Sequence, residues 1–289
     1  MDINNKYSNL ASFASKDDNF LGRKYPYTLS KYRGEFQRDR DRVIHCNSFR
    51  RLKFKTQVFV YYEGDHFRTR LTHSLEVSQI ARSVARVLDL NEDLCEVLSL
   101  AHDLGHTPFG HAGEIALSSC LGNDCFDHNI QSLRILILLE DSYKNQKGLN
   151  LSLNCIDGLL KHNGPIKYLN IIKNQLPEIL DYKINLKNSG SLEAQISSLS
   201  DDIAYNCHDI DDGLRAGLFD IKDLFELKYL NKIFKNDSKI KKNEVVRKLL
   251  NILVTDLIEN SQNKINLANI KNIDDVYKKK INIINFSNN

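Results

Sequence analysis

The apolar positions of this chain recur at helical spacing over most of its length. Between residues 70 and 89, Val77, Ile80, Ala81, Val84 and Leu88 fall three and four apart, the interval that gathers side chains on one helix face. The same period predicts helices over 92 to 104, 111 to 121, 127 to 141, 152 to 162, 192 to 212 and 245 to 259. Asn91 is a good N-cap, Glu92 and Asp93 suit a first turn, and Leu94, Val97, Leu98 and Ala101 continue the repeat. That helix delivers His102 and Asp103 at its C-terminal end. Leu133 and the unbroken run 135 to 139, closed by Glu140 and Asp141, predict a central helix packed on every side. The stretch 58 to 62 is strand-like, and 63 to 65 reads as a turn. Residues 141 to 149 and 173 to 190 read as polar connectors, the latter broken by Pro177 and Gly190. The predicted fold is all-α.

At 289 residues the chain can bury a full core. Three segments are expected: an N-terminal arm over 1 to 30, a core over 31 to 218, and a helical C-terminal segment over 219 to 289, where Lys, Asn and Ile take over and the last dozen residues look like a fraying end. Net charge is only +3, yet residues 21 to 70 hold thirteen Lys or Arg against five Asp or Glu. Such an excess suits a polyanion, either a nucleotide phosphate chain or single-stranded nucleic acid, or else a solvated helical face. No two of the six cysteines are spaced Cys-x-x-Cys, and they read as reduced core thiols. No leader-like start and no eighteen-residue apolar segment is present. A cytoplasmic protein without membrane association is expected.

Candidate chemistry concentrates in the middle of the chain. All nine histidines lie between 45 and 208, and His102, His106 and His111 with Asp103 crowd into ten residues. His106 returns to the face of His102 four residues on, and Gly105 and Pro108 loosen the helix there. An adjacent His-Asp pair is usually a surface or capping feature, so it needs distant partners. His73, near the start of the 70 to 89 helix, and Asp201, on a helix with Leu192, Ile196, Leu199 and Ile203 on its buried side, are the candidates. Tyr205 and Asp209 follow Asp201 at four-residue steps.

The ordered segments Phe36-Gln-Arg-Asp-Arg-Asp-Arg, Phe49-Arg-Arg-Leu-Lys-Phe-Lys-Thr-Gln-Val, Arg68-Thr-Arg-Leu-Thr-His-Ser-Leu-Glu-Val, His102-Asp-Leu-Gly-His-Thr-Pro-Phe-Gly-His-Ala-Gly-Glu, His128-Asn-Ile-Gln-Ser-Leu-Arg, Leu160-Lys-His-Asn-Gly-Pro and Asp201-Asp-Ile-Ala-Tyr-Asn-Cys-His-Asp-Ile-Asp-Asp-Gly resemble the deoxyguanosine triphosphate triphosphohydrolase-like family of HD-domain enzymes. The resemblance spans about residues 30 to 218 and is weak from 219 onward. It implies an HD-domain helical bundle that hydrolyses deoxynucleoside triphosphates to deoxynucleoside and inorganic triphosphate. It also implies one divalent metal ion on His73, His102, Asp103 and Asp201, with Asp202 as the rival to Asp201. Two imidazoles and two carboxylates suit Mn²⁺, Fe²⁺, Co²⁺, Ni²⁺ or Zn²⁺, with Mg²⁺ less natural.

By the same resemblance His111 with Glu114, His128 and His106 are catalytic, a structural histidine being the alternative for each. Arg70 meets phosphate, Gln57 the sugar 3′-hydroxyl, and Tyr205 and Asp209 close on the deoxyribose. Arg50, Arg51 and Lys55 are either core ion pairs or contacts to phosphate or to an interface. Asp202 stands where a vertebrate deoxynucleotide triphosphohydrolase related to this family has a lysine beside its last metal ligand, so another cation must offset that part of the triphosphate. Expected partners are deoxynucleoside triphosphates, with a nucleotide effector and single-stranded nucleic acid as further candidates, and a second copy of the chain in a homo-oligomer. Two other readings compete: a two-metal HD phosphodiesterase or nucleotidase recruiting His106, His111 and His128, and a single-stranded nucleic-acid-binding regulator with a vestigial site.

Overall fold

The computed structural model describes residues 9–60, 66–121, 125–166, 169–234, 240–279 and 281–287. Thirteen α-helices are present among them: α1 (Glu35–Ile44), α2 (Asn47–Arg51), α3 (Arg70–Val87), α4 (Glu92–Ala101), α5 (Gly110–Cys120), α6 (His128–Arg134), α7 (Leu153–Leu160), α8 (Leu169–Gln175), α9 (Leu192–Ala216), α10 (Ile221–Leu224), α11 (Lys228–Phe234), α12 (Lys242–Leu267) and α13 (Ile273–Lys278). The fold is all-α, and the described residues hold no strand, only two isolated bridges.

The centre is α4. Asn91 caps it by accepting from the Leu94 N–H at 3.1 Å, and almost every residue from Asp93 to Ala101 is buried. One side of α4 joins an apolar cluster with Phe36, Val43, Leu133, Leu136 and Ile156, while Cys95 joins a second cluster with Val77, Val84, Ile203 and Leu214. A helix apolar around most of its circumference has to be covered on several sides, and α1, α3, α7 and α9 do so. The Glu193 carboxylate fastens the N-terminal segment to this centre, accepting from the Ser15 N–H at 2.8 Å and the Asn91 N–H at 3.3 Å.

The run 135 to 139 is not the central helix that its composition predicts. It forms a single π-helical turn over Ile135–Leu139, with Leu139 57% exposed. Glu140 turns inward instead, and its carboxylate accepts from the Ser48 N–H at 2.8 Å and from Asn47 at 3.3 Å. A buried carboxylate on the first N–H groups of α2 satisfies donors that no helical carbonyl can reach, and that outweighs the apolar character of the run.

Other expectations shift in similar ways. Residues 173 to 190 carry the end of α8 and a 3₁₀ turn at Pro177–Asp181, and they bury Leu176, Ile179 and Tyr182. Val58 to Val60 form no strand, and 61 to 65 of the strand-like run and its turn lie outside the described residues. Cys120 and Cys125 are exposed, whereas the other four thiols are buried. The C-terminal segment supplies Phe234, Val245, Leu249, Leu257, Ile265 and Val276 to the core shared by α3 and α9. The end of the chain does not fray through 287: Ile283 and Ile284 are buried, and both donate backbone N–H groups to Gln195 Oε1. Among the described residues no helix is long and apolar enough to cross a membrane.

Candidate metal centre and active site

Three elements converge on one cavity of about 320 Å³. α3 brings Arg70 and His73, the 3₁₀ turn His102–Gly105 continuing α4 brings His102 and Asp103, and α9 brings Asp201 and Tyr205. The turn is braced from α6: Ser132 Oγ donates to the His102 carbonyl at 2.7 Å and accepts from the Gly105 N–H at 2.8 Å. A β-carbon at Gly105 would collide with the backbone of His128 and Ser132, so only glycine lets the turn lie this close.

His73, His102 and Asp103 are buried, and each offers a donor atom within 4.8 Å of the others. Half-buried Asp201 stands beside the two histidines of this group, its Oδ1 2.9 Å from His73 Nε2 and 3.5 Å from His102 Nε2. Asp202 lines the cavity beside it. His102 Nδ1 lies 2.7 Å from the Ser99 carbonyl, and a carbonyl only accepts, so Nδ1 carries the proton. Nε2 then faces the carboxylates, buried and without a hydrogen-bond partner. This is how protein metal sites fix an imidazole tautomer.

The electrostatics fit a cation. Three carboxylates, Asp103, Asp201 and Asp202, face the cavity against one guanidinium, Arg70, and Arg70 is already committed to Asp103 Oδ2 at 2.8 Å. Burial pushes the Asp103 carboxyl up, but Arg70 with His102, His106 and His73 holds it well below the usual carboxylate range. For Asp201 the burial effect is likewise overcome by His102, His162 and His73. Burial lowers His102, while Asp103 and Asp201 outweigh it and push the imidazole up to about 9. The donor set and its charge therefore fit a divalent ion.

A second imidazole cluster adjoins the first. His106 stacks on His128 with ring centroids 3.9 Å apart, and its Nε2 lies 3.3 Å from Asp103 Oδ1. Burial, with Arg70, His128 and His111 nearby, outweighs Asp103 and lowers His106 to about 2, so it is neutral at ordinary pH. Glu114 pairs with His111 at 3.3 Å as its three-residue spacing suggests, but more closely with His128, at 3.0 Å. His111, His128, Gln57 and Tyr205 line the cavity; Glu114 stands behind the imidazoles, and Asp209 is not in the lining. Gln57 is held beside Arg70 by one antiparallel bridge, Thr56 to Thr69. The helix carrying His111 and Glu114, α5, is nearly all exposed, with only Gly110 buried.

The basic excess of 21 to 70 is largely engaged inside the protein. Arg23 pairs with Glu35 at 2.8 Å, Arg40 with Glu96 at 3.3 Å, and Arg68 with Asp212 at 2.7 Å. Lys55 donates to the Leu104 carbonyl at 3.1 Å, and burial together with Arg70 lowers it to about 8.

The residues alone did not single out His162 and His208. His162 Nε2 lies 3.5 Å from Asp201 Oδ2, opposite the oxygen that faces His73. His208 Nδ1 lies 3.5 Å from His73 Nδ1. One signal for His208 was present: it follows Asp201 by seven residues, two helical turns along one face.

A family model described as HD domain matches residues 70–206. A protein of Pelagibacter ubique (strain HTCC1062) named deoxyguanosinetriphosphate triphosphohydrolase-like protein is 54% identical, over 98% of this chain and 78% of the relative. Proteins with the same name from Rickettsia felis (strain ATCC VR-1525 / URRWXCal2) and Parvibaculum lavamentivorans (strain DS-1 / DSM 13023 / NCIMB 13966) are 47% and 49% identical, over 96% and 92% of this chain and 75% and 71% of the relatives. Similarity over 98% of the chain extends past residue 218, beyond which the resemblance was expected to be weak.

Proposed function

The chain belongs to the deoxyguanosinetriphosphate triphosphohydrolase-like family, and from that premise we propose that it hydrolyses deoxynucleoside triphosphates to deoxynucleoside and inorganic triphosphate with one divalent ion on His73, His102, Asp103 and Asp201. The observation that carries this reading is the convergence of the Asp201 carboxylate and the buried His102 Nε2, which has no hydrogen-bond partner, on one cavity rich in carboxylates. A polyphosphate cannot enter a cavity of that charge unaided. A divalent ion held by His73, His102, Asp103 and Asp201 would supply the missing positive charge and the Lewis acidity that phosphoryl transfer to water needs.

The protein's own groups do the rest. Arg70 holds Asp103 in place, and its Nε, buried without a partner, is free to donate to a phosphate oxygen. Neutral His106 offers a hydrogen bond without adding charge. His111 and His128, both backed by Glu114, carry the proton to the departing 5′-oxygen. Gln57, whose Oε1 is buried without a partner, accepts from the sugar 3′-hydroxyl, and the Tyr205 ring meets the 2′-carbon and disfavours ribonucleotides. Phosphorus NMR after incubation of the protein with Mn²⁺ and each deoxynucleoside triphosphate tests this: inorganic triphosphate supports it, and orthophosphate or pyrophosphate as the product rejects it.

One observation favours a second reading. His106, Glu114 and His128 also offer donor atoms within 4.8 Å of one another, as a two-metal phosphodiesterase requires. Elemental analysis of metal-loaded protein separates the two, with one ion per chain favouring the first and two the second.

A further inference from the structure

We infer that His208, anchored by Glu76, is a positioning residue that fixes the orientation and tautomer of His73. The inference rests on the metal-centre reading above. His208 is 6% exposed, its ring stands at 83° to that of His73, and the two Nδ1 atoms are 3.5 Å apart. Two facing ring nitrogens make a hydrogen bond only if one carries a proton and the other does not. Glu76 decides which. Its Oε2 lies 2.8 Å from His208 Nε2, and a carboxylate accepts, so a neutral His208 carries its proton on Nε2 and presents a bare Nδ1. His73 must then donate from Nδ1, and its Nε2, which meets Asp201 Oδ1 at 2.9 Å, is the nitrogen that a cation would take in place of a proton.

The fold makes this arrangement rigid. Glu76 is one turn after His73 on α3, and the same Oε2 that meets His208 also accepts from Arg68 Nε at 3.1 Å. Arg68 in turn bonds Asp211 at 3.0 Å and Asp212 at 2.7 Å on α9. α9 therefore reaches His73 twice, with Asp201 at Nε2 and His208 at Nδ1. A single helix clamps the imidazole from both nitrogens, and a carboxylate behind a histidine is the arrangement that orients metal-bound imidazoles elsewhere.

Calorimetric titration of the full chain with Mn²⁺ tests the role. His208→Phe keeps the ring's bulk and removes the acceptor, and is expected to weaken Mn²⁺ binding by about 10–100-fold. His208→Asn sacrifices packing but returns an acceptor oxygen near the Nδ1 position, and is expected to recover most of that loss. A purely structural histidine gives the reverse order, with Phe the better replacement, and that order overturns the inference. Glu76 is 44% exposed, so Glu76→Ala tests the same link without disturbing the core: about tenfold weaker binding supports the role, and unchanged binding overturns it. Failure of the wild-type protein to bind Mn²⁺ removes the metal centre itself and this role with it, whereas tight wild-type binding with indifferent variants removes only the role of His208.

Discussion

His73 Nε2 and Asp201 Oδ1 stand 2.9 Å apart although 128 positions of sequence separate them. The contact joins the start of α3 to the middle of α9, and it brings Asp201 beside the group that His73, His102 and Asp103 form. Asp201→Asn keeps the shape and removes the charge. We expect it to weaken Mn²⁺ binding by more than about tenfold, since one of the two carboxylates in the proposed ligand set loses its charge, and to cut turnover more than about a hundredfold. Calorimetry and product formation measure both, with circular dichroism showing whether helix content is kept.

Metal binding should depend on pH through His102. In the metal-free protein Asp103 and Asp201 outweigh burial and raise this imidazole from 6.5 to about 9. A cation on Nε2 must displace that proton, so apparent affinity should rise about tenfold per pH unit up to about pH 9 and level off above it. The sign for stability is opposite. A raised imidazole stabilises the metal-free fold fully below 6.5 and loses that contribution as pH climbs through 9. Thermal melts in EDTA should therefore fall between pH 6.5 and 9, and added Mn²⁺ should restore the loss most strongly at the alkaline end.

Glu114 holds both His111 and His128 but does not line the cavity. Replacing it with Gln should lower kcat about 10²–10⁴-fold, the usual span for general acid–base catalysis, while the dissociation constant for Mn²⁺ stays within about twofold. A fall in kcat accompanied by loss of metal would place Glu114 in the metal centre instead.

Gly105→Ala probes how the site is braced. The new methyl group meets the backbone of His128 and Ser132 rather than a flexible side chain, so the turn bearing His102 and Asp103 must move off α6. Destabilisation of about 1–3 kcal/mol is expected, together with weaker Mn²⁺ binding. An unchanged denaturation midpoint and metal affinity would show that the turn adjusts freely.

Much of this was legible before folding. The period of Val77, Ile80, Ala81 and Val84, and the Asn91 cap, forecast α3 and α4 closely. The long helix α9 runs four residues past its expected end because Gly217, at φ 69°, is the first residue to take the left-handed conformation that stops it. Short helices such as α2 and α11 show too few turns for a period to emerge, and the tie from Glu140 to α2 is a long-range contact that no local pattern encodes. In the site, the histidine-rich segment at 102 to 111 was conspicuous, but His208 lies on a helix beside core residues and reads as one of them. Its relation to His73 and Glu76 exists only once α3 and α9 are packed together.

Hydrolysis in ¹⁸O-labelled water, with mass spectrometry of every product, locates the bond that is cleaved. Attack at the α-phosphorus delivers one labelled oxygen to inorganic triphosphate and leaves the deoxynucleoside unlabelled. Label in orthophosphate, with a deoxynucleoside diphosphate as co-product, or label in the deoxynucleoside itself, would contradict the account.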